Sequence, residues 1–364
     1  MFKKIGYFFV LGLLSQSLFA QTSSIKDTIR GTWITNVASN VLLSKDSIVK
    51  AVNNCKQNKL NHIFVVVWNN GVTMYPSQVM EKYIGVKQSK RYKNFDPIAC
   101  IINEAHKQNI KVHAWFEFGF SFAYKDSTNN WAKKYPHWIG RKRSGEMLNK
   151  NGFYWWNALH PEPQQFLTEL VAEVVSKYNI DGVQGDDRMP ANPSEGGYDE
   201  YSLKCYASEH NGNQPPSNAK DSMFVNWKAQ KLNVFAKQLY KKVKAIKPNC
   251  MVTWAPSIYP WCKQEYLQDW PTWLEEGYAD YILPQLYRYN INAYEKILKE
   301  LNETVPAKFK HKVFPGILTS LGDGYQSSAI LTQQMIELNR KYGFMGEVFF
   351  YYETLNRLKE KIYK

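Results

Sequence analysis

The stretch DGVQGDD, Asp181 to Asp187, packs three carboxylic acids and two glycines into seven residues, directly after the helical run FLTELVAEVVSKYNI. Burying an uncompensated charge is costly, so a strand that ends on adjacent carboxylates must place them where partners or substrate meet them. Glycosidic bond cleavage asks for such a set. One acid protonates the leaving oxygen, and a second attacks the anomeric carbon or activates a water. Crowded carboxylates push each other's pKa values apart, which supplies the two protonation states. A Mg²⁺ or Mn²⁺ site is the competing use. No His–carboxylate spacing accompanies these acids, so the glycosidase chemistry is preferred, with no metal or cofactor expected.

Such acids need a frame. Short β-rich runs alternate with helical ones along the chain. The strands are RGTWITN (30–36), HIFVVVW (62–68), KVHAWFE (111–117), DGVQGDD (181–187), CMVTWAPS (250–257), DYILPQLY (280–287), KVFPGIL (312–318) and GEVFFYYE (346–353). Helical periods follow them, with start signals at Ser44, Asp96-Pro97 and Pro161. Eight β/α units predict an α/β fold, a single (β/α)8 TIM barrel over 28–360, with the site at the carboxyl ends of the strands. The third and fourth βα loops, from Phe118 to about His160 and from Met189 to about Asp221, are long enough to shape a cleft. Trp131, Trp138, Trp155 and Trp156 in the third loop either stack on sugars or pack the loop onto the barrel.

Strand alternation sorts the side chains. Val183 suits the helix layer, whereas Gln184 and Asp186 belong in the lumen, with Asp186 at its mouth. Asp187 begins the loop, beside the site or as a cap. His113, Trp115 and Glu117 share one parity on the third strand, and Tyr351 and Glu353 share one on the eighth. The catalytic candidates are therefore Asp186, Asp187, Glu117 and Glu353: Asp186 as nucleophile or base, Glu353 or Glu117 as acid. The candidates for holding substrate are Asn36, Trp68, Asn69, His113, Trp115, Gln184, Arg188, Trp254, Gln285, Tyr287 and Tyr351.

With 364 residues, 44% hydrophobic and 21% charged, the chain can bury a large core and does not read as disordered. The 12 Trp and 24 Tyr suit either that core or the stacking of flat ligands. A formal charge of +14 admits an anionic partner. The lysines are scattered over helix faces such as QLYKKVKAIK, which argues against nucleic acid and is compatible with an anionic cell-surface polymer. MFKKIGYFFVLGLLSQSLFAQ has the layout of a signal peptide cut near Ala20. No later run is long enough to span a bilayer. A secreted or periplasmic protein without stable membrane insertion is expected, acting on a polysaccharide. Five cysteines at irregular spacing form neither a disulfide framework nor a zinc pattern. Cys55 and Cys100 read as core residues, and pairing among Cys205, Cys250 and Cys262 stays open.

Several stretches together resemble the glycosyl-hydrolase-like family-10 barrels of bacteria. They are RGTWITN, LNHIFVVVWNNGVTMYPS, EAHKQNIKVHAWFE, NALHPEPQQFLTELVAEVVSKYNIDGVQGDD, WLEEGYADYILPQLY and VFFYYE, in the family's order over nearly the whole chain after the leader. The resemblance implies a TIM barrel, an exported or envelope protein, and a glycan substrate; a characterised relative in that group cleaves peptidoglycan glycan strands stripped of stem peptides. DGVQGD is also similar to the fourth strand of α-amylase-like barrels, whose terminal Asp is a nucleophile, and Asp186 falls on it. Two positions depart from the family pattern. Gly185 stands where members often have a bulky apolar residue, and Glu117 stands where the third strand often ends on Asn.

Overall fold

The computed structural model describes residues 28–321, 324–355 and 362–363; the expected leader and its cut near Ala20 lie outside them. Eight parallel strands form the frame: β1 (Arg30–Ile34), β2 (His62–Val66), β3 (Lys111–Trp115), β4 (Gly182–Gly185), β5 (Met251–Trp254), β6 (Tyr281–Ile282), β7 (Gly316–Leu318) and β8 (Glu347–Phe350). Their order in the sheet is β6-β5-β4-β3-β2-β1-β8-β7. Parallel bridges Ile282↔Val313 and Gln285↔Gly316 join its two ends and close the ring. Each run read as a strand carries one, trimmed at its ends. β6 is the shortest, because Pro284 has no N–H to give the ladder.

The principal helices are α1 (Lys45–Gln57), α2 (Pro97–Lys107), α3 (Pro161–Lys177), α4 (Ser222–Ile246), α5 (Trp270–Glu275), α6 (Ile291–Thr304), α7 (Ala329–Lys341) and α8 (Tyr352–Leu355). The start signals hold. Ser44 accepts from Ser47 N–H, Asp96 accepts from Ile98 and Ala99 N–H ahead of Pro97, and Pro161 opens α3. α3 buries Phe166, Leu167, Leu170, Val171, Val174 and Val175, the three- and four-residue spacing of one apolar face.

The lumen is filled, as barrels of this type are. Trp33 lies 5.8 Å from Phe64, 6.5 Å from Trp115 and 6.1 Å from Phe350, ring centre to ring centre. Its indole N–H donates to Gln184 Oε1 at 2.7 Å. Two glycines make this packing feasible. A Cβ on Gly31 would stand 2.9 Å from the Phe64 ring, and one on Gly182 would stand 2.3 Å from the His113 ring.

The third βα loop carries its own antiparallel sheet of Ser121–Tyr124, Phe153–Trp155 and Asn149–Lys150. Its four tryptophans are buried. Trp131, Trp138 and Trp156 cluster with one another and with Phe166 of α3, at centroid distances of 4.8–6.1 Å. Trp155 is buried beside Tyr266. These rings fasten the loop to the barrel, so the loop's aromatic excess is core. All five cysteines are free, with Cys55, Cys250 and Cys262 buried; Cys205, Cys250 and Cys262 form no pair. Among the described residues, no helix is long and apolar enough to cross a membrane.

Candidate active site

DGVQGDD divides its work residue by residue. Asp181 is a strut at the entry to β4: Oδ2 lies 2.7 Å from His106 Nε2 and accepts the Val112 N–H at 2.8 Å. Gln184 points into the lumen between Trp33 and Thr253. Gly185 has no room for a side chain. A Cβ there would lie 2.2 Å from the Met189 carbonyl and 2.9 Å from the Trp254 ring, so Trp254 fills the space a bulky residue would occupy.

Asp186 follows at the mouth, with a side chain only 3% exposed. Its carboxylate accepts at both oxygens. Trp115 Nε1–H donates to Oδ2 at 2.9 Å, the Arg188 backbone N–H donates to Oδ1 at 3.0 Å, and Arg188 Nη2 lies 3.4 Å from Oδ2. Behind it, Gln268 Nε2 donates to the Asp186 carbonyl at 2.7 Å. Glu117, two residues beyond the end of β3, lies across the same guanidinium: Nη2 is 3.6 Å from its Oε1, and Asn69 Nδ2 donates to Oε2 at 2.6 Å. Asp187 completes the set at 3.1 Å from Arg188 Nη1. Three carboxylates thus converge on one arginine.

Arg188 is itself held from several sides. Its Nε donates to the Glu117 carbonyl at 2.8 Å, and its guanidinium lies 4.7 Å from the Phe153 ring centre and 5.6 Å from that of Phe118. Gly119, at φ +46°, lets the third and fourth loops meet behind it: a Cβ there would lie 2.1 Å from the Arg188 carbonyl, which accepts the Phe120 N–H at 3.0 Å.

The electrostatics follow from burial. It pushes the Asp186 carboxyl well above the usual range, against the pull of Arg188 and with a further push from Asp187 and Glu117. Glu117 is also raised by burial, opposed by Arg188 and the Asn69 hydrogen bond. Burial works against the Arg188 charge, but the carboxylates outweigh it and keep the guanidinium protonated. Tyr287 and Tyr266 border the same field. Burial, then the Asp187 charge, raises both hydroxyls, Tyr266 to about 12.

Other residues singled out in the sequence lie elsewhere. Glu353 is the main correction. β8 stops at Phe350 and the chain turns into α8 at Tyr352, so strand parity does not extend to Glu353. Its Oε1 accepts from Ser39 Oγ at 2.7 Å, while the other three acids share Arg188. Tyr351 is half-buried with its ring 5.3 Å from Phe350. Trp68 is fully buried, packs on Trp131, Trp156 and Phe166, and donates to the Gly119 carbonyl; it supports the loop rather than a sugar. Trp254 is turned toward Trp273 and is equally closed off. His113 lies deep in the lumen, its Nε2 2.8 Å from His62 Nδ1, and burial holds both imidazoles neutral, His62 at about 3. His113 and Gln184 are thus buried in the floor of the lumen, below the mouth. Asn36 is half-buried at the end of β1, its carbonyl accepting from Arg91. Gln285, whose amide donates to the Ala255 carbonyl at 2.9 Å, borders a cleft of about 420 Å³ together with Tyr287. Sequence reasoning missed Phe118, Phe153, Tyr266 and Gln268, which come from distant loops and carry no local motif.

Comparison with known proteins agrees with this architecture. At 13% identity, the glycoside hydrolase domain of PgaB (BpsB) from Bordetella bronchiseptica superposes with a TM-score of 0.66, over 92% of this chain and 97% of that domain. The catalytic domain of a β-amylase from Paenibacillus polymyxa gives 0.63 at 13% identity, over 90% and 93%. At such identities the likeness is one of fold. In sequence, the chain is 25% identical to glycosyl hydrolase YngK of Bacillus subtilis over 329 residues, 78% of this chain and 59% of that protein. It is 25% identical to glycosyl hydrolase DigH of Escherichia coli over 278 residues, 70% of this chain and 60% of that protein. The chain thus spans about three-fifths of the length of these relatives. The model of the family glycosyl hydrolase-like 10 matches residues 28–325, and the chain belongs to that family.

Proposed function

We propose that the protein is an exported glycoside hydrolase acting on a polysaccharide, a bacterial cell-wall or other amino-sugar glycan, and that Asp186 and Glu117 are its working pair. One observation carries this reading: a single arginine nitrogen at the barrel mouth lies 3.4 Å from Asp186 and 3.6 Å from Glu117. Asp186 takes the role of nucleophile or base. Its two oxygens face fixed N–H donors, which can only donate and so favour the ionised form against the burial that opposes it. Glu117 takes the role of acid. Burial raises its pKa as it raises that of Asp186, but its hydrogen bond comes from the Asn69 amide at one oxygen, where Asp186 meets N–H donors at both, so the proton the acids share rests on Glu117. In the reaction, the Glu117 proton goes to the departing glycosidic oxygen as the C–O bond breaks. The electron pair that replaces it at the anomeric carbon comes from Asp186, or from a water whose proton Asp186 takes. Arg188 holds both groups and balances their charge, and the rim side chains Gln285 and Tyr287 hold hydroxyls.

The test is incubation of the purified mature chain with a glycan panel that includes peptide-free peptidoglycan strands, read by mass spectrometry. New reducing ends are expected, undiminished by a chelator. A second reading, a non-catalytic glycan-binding barrel, is favoured by the near-complete burial of Asp186. It predicts saturable binding with no reducing-end release. Export is tested separately: N-terminal sequencing of the secreted or periplasmic protein is expected to begin near Gln21.

A further inference from the structure

Among the described tryptophans, Trp261 stands apart. The nine tryptophans Trp33, Trp68, Trp131, Trp138, Trp155, Trp156, Trp254, Trp270 and Trp273 are fully buried, whereas Trp261 is 50% exposed. It opens the short helix Trp261–Tyr266 on the loop after β5, on the face that carries the acids. Its ring forms one wall of the 420 Å³ cleft, with Ser257, Tyr259, Gln285, Tyr287 and Arg288 around it. That volume falls within the roughly 300–1,000 Å³ of small-ligand sites. The walls combine a flat apolar ring with hydroxyl, amide and guanidinium groups, the mixture that a pyranose needs: apolar C–H bonds on one face and hydroxyls at the edge.

The cleft also adjoins the acids in the fold: β5, whose loop carries Trp261, pairs with β4, and the Ala255 N–H donates at 2.8 Å to the carbonyl of Gly185, the residue before Asp186. Tyr287 lines the cleft and lies in the field of Asp187 and Asp186. Tyr266 packs against Trp261 at 5.6 Å and lies in the field of Asp187. Single exposed apolar residues are ordinary on any surface. An exposed indole lining a cleft together with Gln285, Tyr287 and Arg288 is a more specific arrangement.

We propose that the cleft between the loops after β5 and β6 is a sugar subsite contiguous with the acid cluster, with Trp261 as its stacking platform, so that the protein recognises a chain of several pyranose units beyond the pair flanking the broken bond. This rests on the glycoside hydrolase reading above and adds that substrate length is sensed at Trp261. Arg288, whose Nη1 donates to the Tyr287 carbonyl at 2.7 Å, places its guanidinium in the lining of the same cleft.

The experiment compares peptide-free peptidoglycan oligomers of two and six sugars. Calorimetric binding is measured on Asp186→Asn, which leaves the oligomers intact, with and without Trp261→Ala; kcat/KM is measured on the otherwise wild-type chain. Trp261→Ala is expected to lower six-sugar affinity and the six-to-two ratio of kcat/KM by about tenfold, with Trp261→Phe recovering most of both. Cleavage of the six-sugar chain with an unchanged ratio in Trp261→Ala overturns the subsite and leaves the hydrolase reading standing. Oligomers that are neither bound nor cleaved overturn both.

Discussion

Two sides of the barrel mouth carry carboxylates at strand ends, and the molecule treats them differently. At the ends of β3 and β4, Glu117, Asp186 and Asp187 gather around one guanidinium, that of Arg188, and burial raises Asp186 and Glu117. Near the junction of β8 and β1, Glu353 has left strand geometry for α8 and is satisfied by the Ser39 hydroxyl. The residue type is the same, but only the first side holds its acids close enough to split their protonation states. A carboxylate at a strand end therefore signals chemistry when another acid and a fixed cation share its surroundings, and signals local structure when a nearby hydroxyl satisfies it.

Substitutions on the two sides break or sharpen that contrast. The largest effect is expected at Arg188. Arg188→Gln strands three acids around a neutral amide, so a loss of about 3–5 kcal/mol in urea unfolding is expected near neutral pH. Because Arg188 pulls both Asp186 and Glu117 down, its removal raises both, and what activity remains should show both limbs of its pH profile moved to higher pH. Glu117→Gln comes next. A drop in kcat of about a hundredfold or more is expected on glycans with poor leaving groups, and a much smaller one on activated aryl glycosides that need no proton. Asp187→Asn is expected to cost less, about tenfold in kcat/KM, because it leaves the Asp186–Arg188–Glu117 bridge in place. Glu353→Gln is expected to change kcat/KM by less than about threefold, since an amide still accepts from Ser39. A hundredfold loss there would erase the contrast.

Most of the frame was legible in the sequence, because eight alternating β and helical periods and three helix starts are local signals. Strand parity placed Gln184, Asp186, His113 and Trp115 in the lumen for the same reason: period-two alternation survives wherever the strand does. It failed at Glu353, where the strand ends three residues early. Asn69 and Arg188 were named as substrate-holding residues, whereas the geometry has them gripping the acids. The packing of Phe153 and Phe118 on Arg188, and the support of Gln268 behind Asp186, are tertiary facts without a sequence signature. For the tryptophans of the third loop the sequence left both roles open. Trp131, Trp138, Trp155 and Trp156 were as well placed along the chain as Trp261, and only packing distinguishes core from surface.

Asp186→Asn tests the centre of the account most directly, with turnover of a glycan that the wild-type chain cleaves and thermal unfolding measured on the same sample. The side chain keeps its shape and loses its capacity as base or nucleophile, so kcat should fall at least about a hundredfold. Folding should survive the change, because Glu117 and Asp187 still hold Arg188. Burial raises the folded-state pKa of Asp186, so its contribution is fully present below the unfolded value of about 3.9 and is lost as pH rises through the folded one. The neutral amide escapes that loss but turns its NH2 toward an N–H donor, so the variant should melt below the wild type by a margin that narrows from pH 4 to pH 8. Wild-type turnover by a folded Asp186→Asn protein would contradict the account and leave Asp186 as a structural partner of Arg188.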